Sequence, residues 1–127
     1  MATTILHELD RKFDNGGTDN TLSFDGATLR LRIGSRDEIA TVEFKIAVAH
    51  RFTDEYHMAL GFGGSGKLLE QTGTEWLEWA NQMADEIFLP RGGRIFRTRH
   101  FDIYLESWGR LEVIADGIEL TFEDRTP

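Results

Sequence analysis

The stretch "TLSFDGATLRLRI" alternates apolar and polar positions, with Leu22 and Phe24 before Asp25-Gly26 and Leu29, Leu31 and Ile33 after it. Successive side chains of a strand leave opposite faces, so this alternation across a glycine turn predicts a β-hairpin. "TVEFKIAVAH" continues the pattern, with Val42, Phe44, Ile46 and Val48 on one face and Glu43, Lys45, Ala47 and Ala49 on the other. "EYHMALGF" carries it through Tyr56, Met58, Leu60 and Phe62. The period then changes: "TEWLEWANQMADEIFLP" places apolar residues at Trp76, Trp79, Ala80, Met83, Ala84 and Ile87, the three-and-four spacing of an amphipathic helix. Thr74, or Thr72 before it, supplies an N-cap, and Glu75 puts a negative charge in the first turn where the helix dipole favours one. Pro90 with Gly92 and Gly93 ends the helix. Strands resume at "RIFRT", "FDIYLESW", "RLEVIAD" and "IELTFED", with Trp108-Gly109 and Asp116-Gly117 as short turns between them, the second a hairpin signal.

Short turns between successive strands demand antiparallel pairing, because a parallel neighbour requires a long crossover. The expected fold class is therefore α+β: an antiparallel, curved β-sheet with one main amphipathic α-helix packed on one face. "NGGTDN", Asn15 to Asn20, reads as a flexible connector after a short N-terminal element, in which Ile5, Leu6, Leu9 and Phe13 suit either a helical turn or a strand. The chain of 127 residues has the size of one domain, expected to span residues 1–127.

Hydrophobic residues make up 40% and charged residues 28%, the balance of a folded globular chain rather than a disordered one. The absence of cysteine removes disulfides, thiolate metal sites and a thiol nucleophile. "MATTILHELDRKFD" lacks the charged leader and apolar run of a secretory signal, and no stretch approaches the roughly 20 apolar residues of a membrane helix. A soluble, cytoplasmic protein is the expectation. The formal net charge of −8 opposes binding to nucleic acid or an anionic membrane, and suits a basic partner.

"GFGGSGKL", residues 61 to 68, comes within one residue of a phosphate-binding loop, but Leu68 stands where the metal-ligating hydroxyl is required and the helix begins too late for Lys67 to sit at its mouth. The glycines read as a connector between a strand and the next element. Ser65 lies in "GGSGK", which lacks the closing glycine of a G-x-S-x-G nucleophile turn. His7, His50, His57 and His100 show no tight metal spacing; His100 and Asp102 share a strand face, yet a metal site needs further ligands. "RGGRIFRTRH" concentrates Arg91, Arg94, Arg97 and Arg99, which either grip phosphate beside Phe96 and Phe101 or pair across the sheet with Glu106, Glu112 and Glu119. The pairing reading is preferred. No catalytic residue, cofactor or metal is expected.

At about 100° per residue, Glu75, Glu78, Gln82, Asp85 and Glu86 gather on the side of the helix opposite Met83 and Ile87, with Trp79 at the edge. This acidic ridge is either a solvated exterior or a partner-binding surface anchored by Trp79, since aromatic anchors beside complementary charge recur in interfaces. The order of "TVEFKIAVA", "TEWLEWANQMADEI" and "FDIYLESWGRLEVIAD" resembles that of small bacterial immunity proteins against contact-delivered toxins. The resemblance covers most of residues 21 to 122 in arrangement and composition. It implies a non-catalytic inhibitor that neutralises a basic partner, a toxin or, for a phage-encoded inhibitor, a component of a host defence complex. The alternative is a small-molecule or enzymatic domain with a cleft between the sheet and the glycine-rich loop.

Overall fold

The structure is a computed structural model, and it describes residues 1–14, 19–54, 65–106 and 108–125. The chain is α+β, and its strands divide between two antiparallel sheets rather than forming the single sheet expected. In chain order the elements are β1 (Ala2–Glu8), α1 (Arg11–Asp14), β2 (Asn20–Asp25), β3 (Thr28–Gly34), β4 (Glu38–Lys45), β5 (Ala49–Asp54), β6 (Lys67–Thr72), α2 (Glu75–Phe88), β7 (Arg99–Leu105), β8 (Gly109–Ala115) and β9 (Gly117–Asp124). One sheet has the order β1-β6-β7-β8-β5, the other β2-β3-β4-β9.

The inner faces of the two sheets share one core. Leu29, Leu31, Ile33, Val42 and Phe44 from the four-stranded sheet meet Leu68, Phe101, Ile103, Leu105, Leu111 and Val113 from the five-stranded sheet. Phe44 and Phe101 face each other across the gap with ring centroids 6.1 Å apart. The outer face of the four-stranded sheet is a charged, solvated surface, with Arg30 on Glu43 at 2.7 Å and Lys45 on Glu119 at 3.7 Å. The outer face of the five-stranded sheet carries α2.

The N-terminal element is a strand followed by a single helical turn, which resolves the choice left open by the sequence. α1 closes one end of the core: Phe13 is buried against Phe122 at 5.8 Å, and the Asp14 carboxylate accepts bonds from the Glu106 backbone N–H (2.8 Å) and the Ser65 hydroxyl (2.6 Å). Of the connector at 15–20, positions 15–18 lie outside the described residues, as do "EYHMALGF" and Gly61 to Gly64 of the glycine loop.

Three local expectations change. The run "TVEFKIAVAH" is not one strand: Ile46, with φ +52°, turns the chain out of the four-stranded sheet, and β5 begins in the other at Ala49. Val42 and Phe44 are therefore buried while Ile46 and Val48 are exposed. Asp116-Gly117 is likewise a crossing between sheets and not a hairpin, because β8 pairs with β7 and β5 whereas β9 pairs with β4. The two crossings lie side by side, with the Asp116 N–H donating to the Lys45 carbonyl and the Val48 N–H to the Ile114 carbonyl. Finally, "RIFRT" forms no strand; α2 passes into a 3₁₀ turn over Leu89–Arg91, and Gly92 and Gly93 at φ +93° and +95° redirect the chain toward β7.

Candidate binding surface on the long helix

α2 starts where the sequence places it. The Thr74 hydroxyl accepts the Leu77 N–H at 3.2 Å, which satisfies one of the free donors of the first turn. That cap is tied to the sheet beneath. Thr74 Oγ1 lies 2.8 Å from Nδ1 of His100 on β7, and His100 Nε2 lies 2.9 Å from Oε1 of Glu112 on β8. All three residues are buried. The ionised Glu112 carboxylate has no proton to give, so Nε2–H of His100 donates to it, and His100 Nδ1 shares the second bond with the Thr74 hydroxyl. A continuous chain of bonds thus runs from the Leu77 N–H through Thr74 and His100 to Glu112.

The charges around Glu112 explain why it is ionised. Burial pushes its pKa upward, but bonds from His100 and Arg51 and the positive charge of Arg110 more than reverse this and hold it at about 2. Arg51 on β5 grips both oxygens at 2.7 and 3.0 Å, and Arg110 approaches at 3.1 Å while also clamping the buried Asp102 at 2.7 Å. Gln71 on β6 donates to Asp102 at 2.5 Å. The Arg51 guanidinium lies 4.3 Å from the ring centre of Trp76 in the first turn of α2, and that ring meets His100 edge-on at 5.1 Å. A cation over an indole face adds attraction beyond the ion pair. The N-terminal turn of α2 is fixed to the sheet from both its cap and its first aromatic residue.

The body of α2 sits on the sheet by small residues. Of the six apolar positions that the spacing marks, Ala80 and Ala84 are the buried ones. The apolar stripe is only partly covered: Trp79, Met83 and Ile87, four residues apart in turn, are 49%, 41% and 47% exposed. They form a shoulder between the buried alanines and the acidic ridge, and with Val48, Ala49 and Phe96 they line an apolar groove of about 170 Å³. Met83 and Ile87, which the sequence places away from the acidic ridge, edge the groove rather than lying fully buried. Glu75, Glu78, Gln82 and Glu86 are exposed along the ridge, and the half-exposed Asp85 side chain lies 3.6 Å from Arg94. Trp79 stands at the boundary, as its helical angle predicts.

Lys67 opens β6 rather than a helix, so Gly66 and Lys67 do not form the mouth of a phosphate loop. Ser65 is bonded to Asp14, and the hollow of about 370 Å³ beside it is lined by Glu8, Arg11, Asp14 and Glu106 among others, without a histidine. Three of the four arginines of residues 91–99 are balanced, but not by the glutamates expected: Arg99 forms a two-point pair with Glu70 (2.6 and 2.8 Å), Arg97 approaches Asp116 at 3.9 Å and Arg94 approaches Asp85. Glu112 is taken by Arg51 and Arg110, and Glu119 by Lys45. His100 and Asp102 do share a face, and no group of three potential metal ligands occurs among the described residues.

No protein-family model, curated protein or solved structure matches the chain. Among the described residues no helix is long and apolar enough to cross a membrane.

Proposed function

We propose that this is a non-catalytic, cytoplasmic binding protein whose α2 surface receives a basic, amphipathic segment of a partner protein. The supporting observation is the half-covered stripe of Trp79, Met83 and Ile87 flanked by carboxylates. Completing the burial of three half-exposed large side chains contributes roughly 1 kcal/mol each, and a partner with Lys or Arg beside its apolar face matches the ridge of Glu75, Glu78, Asp85 and Glu86. An amphipathic helix laid in a groove is a recurring way to meet such a surface. The anchored N-terminal turn lowers the entropy lost on binding, because the receiving surface is already ordered. Neutralisation of a toxin or defence component, the role implied by the resemblance to immunity proteins, is the form of this function that we favour. The ridge's negative charge argues against nucleic acid as the ligand.

A photo-crosslinking residue in place of Met83 tests this in cells. It is expected to trap one basic protein, while the same residue at Thr121, on the outer face of the opposite sheet, traps none. Equal trapping at both positions, or at neither, would contradict the reading.

An enzymatic domain is the second reading, favoured by a cavity of about 620 Å³ above the Thr74–His100 pair. It requires the Thr74 hydroxyl to act as nucleophile with His100 as base. That hydroxyl is already committed as the helix cap. Loss of a hydrolytic activity in His100→Ala with retained folding is the result that favours this reading over binding.

A further inference from the structure

The edge strand β2 is unlike the other three edges. Natural edges are protected by charge, bulges or proline, because unpaired main-chain groups recruit other strands. β1 carries a bulge between Ile5 and His7 and ends at Glu8; β5 carries His50, Arg51 and Asp54; β9 carries Glu119, Glu123 and Asp124. β2 likewise ends on a charge, Asp25, but its residues Asn20 to Phe24 have no charge, bulge or proline.

The free groups of β2 follow from its turn. Gly26 and Ala27 join Asp25 and Thr28, the closing pair, and Gly26 has the positive φ (+62°) that the first position of a type II′ turn requires. The closing pair of a two-residue hairpin exchanges ladder bonds, as do alternate pairs from it, here Ser23 with Arg30 and Thr21 with Arg32. The N–H and C=O groups of Asn20, Leu22 and Phe24 therefore point off the sheet, where no described backbone group takes them up. The side chains agree. Leu22 and Phe24 belong to the inner face, opposite the fully buried Leu31 and Leu29, yet are 38% and 51% exposed. Phe24 meets His50 of the facing sheet at 6.0 Å, and the inner-face Phe52 is also exposed, so among the described residues the apolar inner face is only partly covered along this side.

We infer that two copies of the chain pair through β2, antiparallel about a twofold axis at Ser23. This register sets Leu22 of each copy opposite Phe24 of the other, extends the apolar inner face, and sets Thr21 opposite Asp25 as a hydroxyl donor to a carboxylate. Shifted one pairing step one way, the register sets Asp19 against Asp25 and is opposed by like charge; shifted the other way, it sets Leu22 against Gly26 and loses the Leu22–Phe24 pairs. Identical uncharged strands let two chains of net charge −8 meet where neither presents a carboxylate at the centre. The result is a continuous eight-stranded sheet. A pair of six-residue strands lies at the low end of specific interfaces, so the dimer is weak, with a dissociation constant on the order of 10–100 µM. The inference is independent of α2, which lies on the outer face of the other sheet.

Sedimentation equilibrium of the full chain from about 1 µM to 1 mM, read with amide exchange at Leu22 and Phe24, tests it. The mass is expected to rise from 14.5 kDa toward twice that value. Exchange at both amides should slow in step. Ser23→Lys, an exposed change that brings two ammonium groups together at the axis, should weaken association at least about tenfold with an unchanged melting temperature. A chain that stays monomeric at 1 mM overturns the inference. So does dimerisation that Ser23→Lys leaves intact or that leaves the Leu22 and Phe24 amides fast. Protection of those amides only when a different protein is added also overturns it, and would mark β2 as an acceptor for a foreign strand.

Discussion

Replacing Glu112 by Gln removes one charge from the network beneath α2 while keeping the side chain's shape. In the folded protein Glu112 titrates at about 2 instead of 4.5, a drop that corresponds to about 3 kcal/mol. Because the folded-state value is depressed, this stability is fully present above about pH 4.5 and is lost as the pH falls toward 2. Glu112→Gln should therefore be less stable than the parent by about 3 kcal/mol at pH 7, with the gap closing toward zero near pH 2. Urea unfolding at a series of pH values, followed by tryptophan fluorescence, measures it. At pH 7 the midpoint should fall by about 2 M, taking a urea slope of roughly 1.5 kcal/mol/M. Acid groups that share no partner with Glu112 cancel in the difference. A gap that is the same at pH 7 and pH 2.5, or a variant as stable as the parent, would refute the account of the network.

The cap offers a second test: Thr74→Val, which leaves the Leu77 N–H and His100 Nδ1 without partners, should cost about 1–3 kcal/mol in urea unfolding, and Thr74→Ser nearly nothing. Gly109 has φ +141°, and a Cβ there would stand 2.4 Å from the Thr53 carbonyl oxygen and 2.7 Å from the Phe52 ring. Gly109→Ala should lower stability by about 2 kcal/mol or more and shift the melting temperature accordingly. Ile46 is a β-branched residue in the left-handed region, so Ile46→Asn should stabilise the fold by up to about 1 kcal/mol, since asparagine tolerates that geometry and the lost side chain is already partly exposed.

Where one strand pairs with its sequence neighbour, the pattern is legible. β2 and β3 follow from Leu22 to Ile33 across Asp25-Gly26, and α2 follows from its spacing, its Thr74 cap and Pro90. Crossings between sheets are not legible, because period-two alternation states which face a residue occupies and not which sheet it is in. Thus Ile46 looks like a strand residue and Asp116-Gly117 like a hairpin turn. The acidic ridge could be read from helical angles. The half-covered stripe could not: periodicity marks Met83 and Ile87 as apolar without revealing that Ala80 and Ala84 are the buried positions of the helix. The network was half visible, since His100 and Asp102 share a face by parity. Their partners come from distant segments, with Arg51 separated from Glu112 by 61 positions and Thr74 from His100 by 26, and no local pattern joins them.

Affinity capture from the native cell, with the parent chain, Met83→Glu and the double variant Glu78→Lys/Asp85→Lys compared side by side, tests the proposed function most directly. The parent should recover one basic protein in near-equal amount, and both variants should lose it while keeping the parent's melting temperature to within about 2 °C. A partner retained by both variants, or a small molecule recovered in place of a protein, would contradict binding through α2.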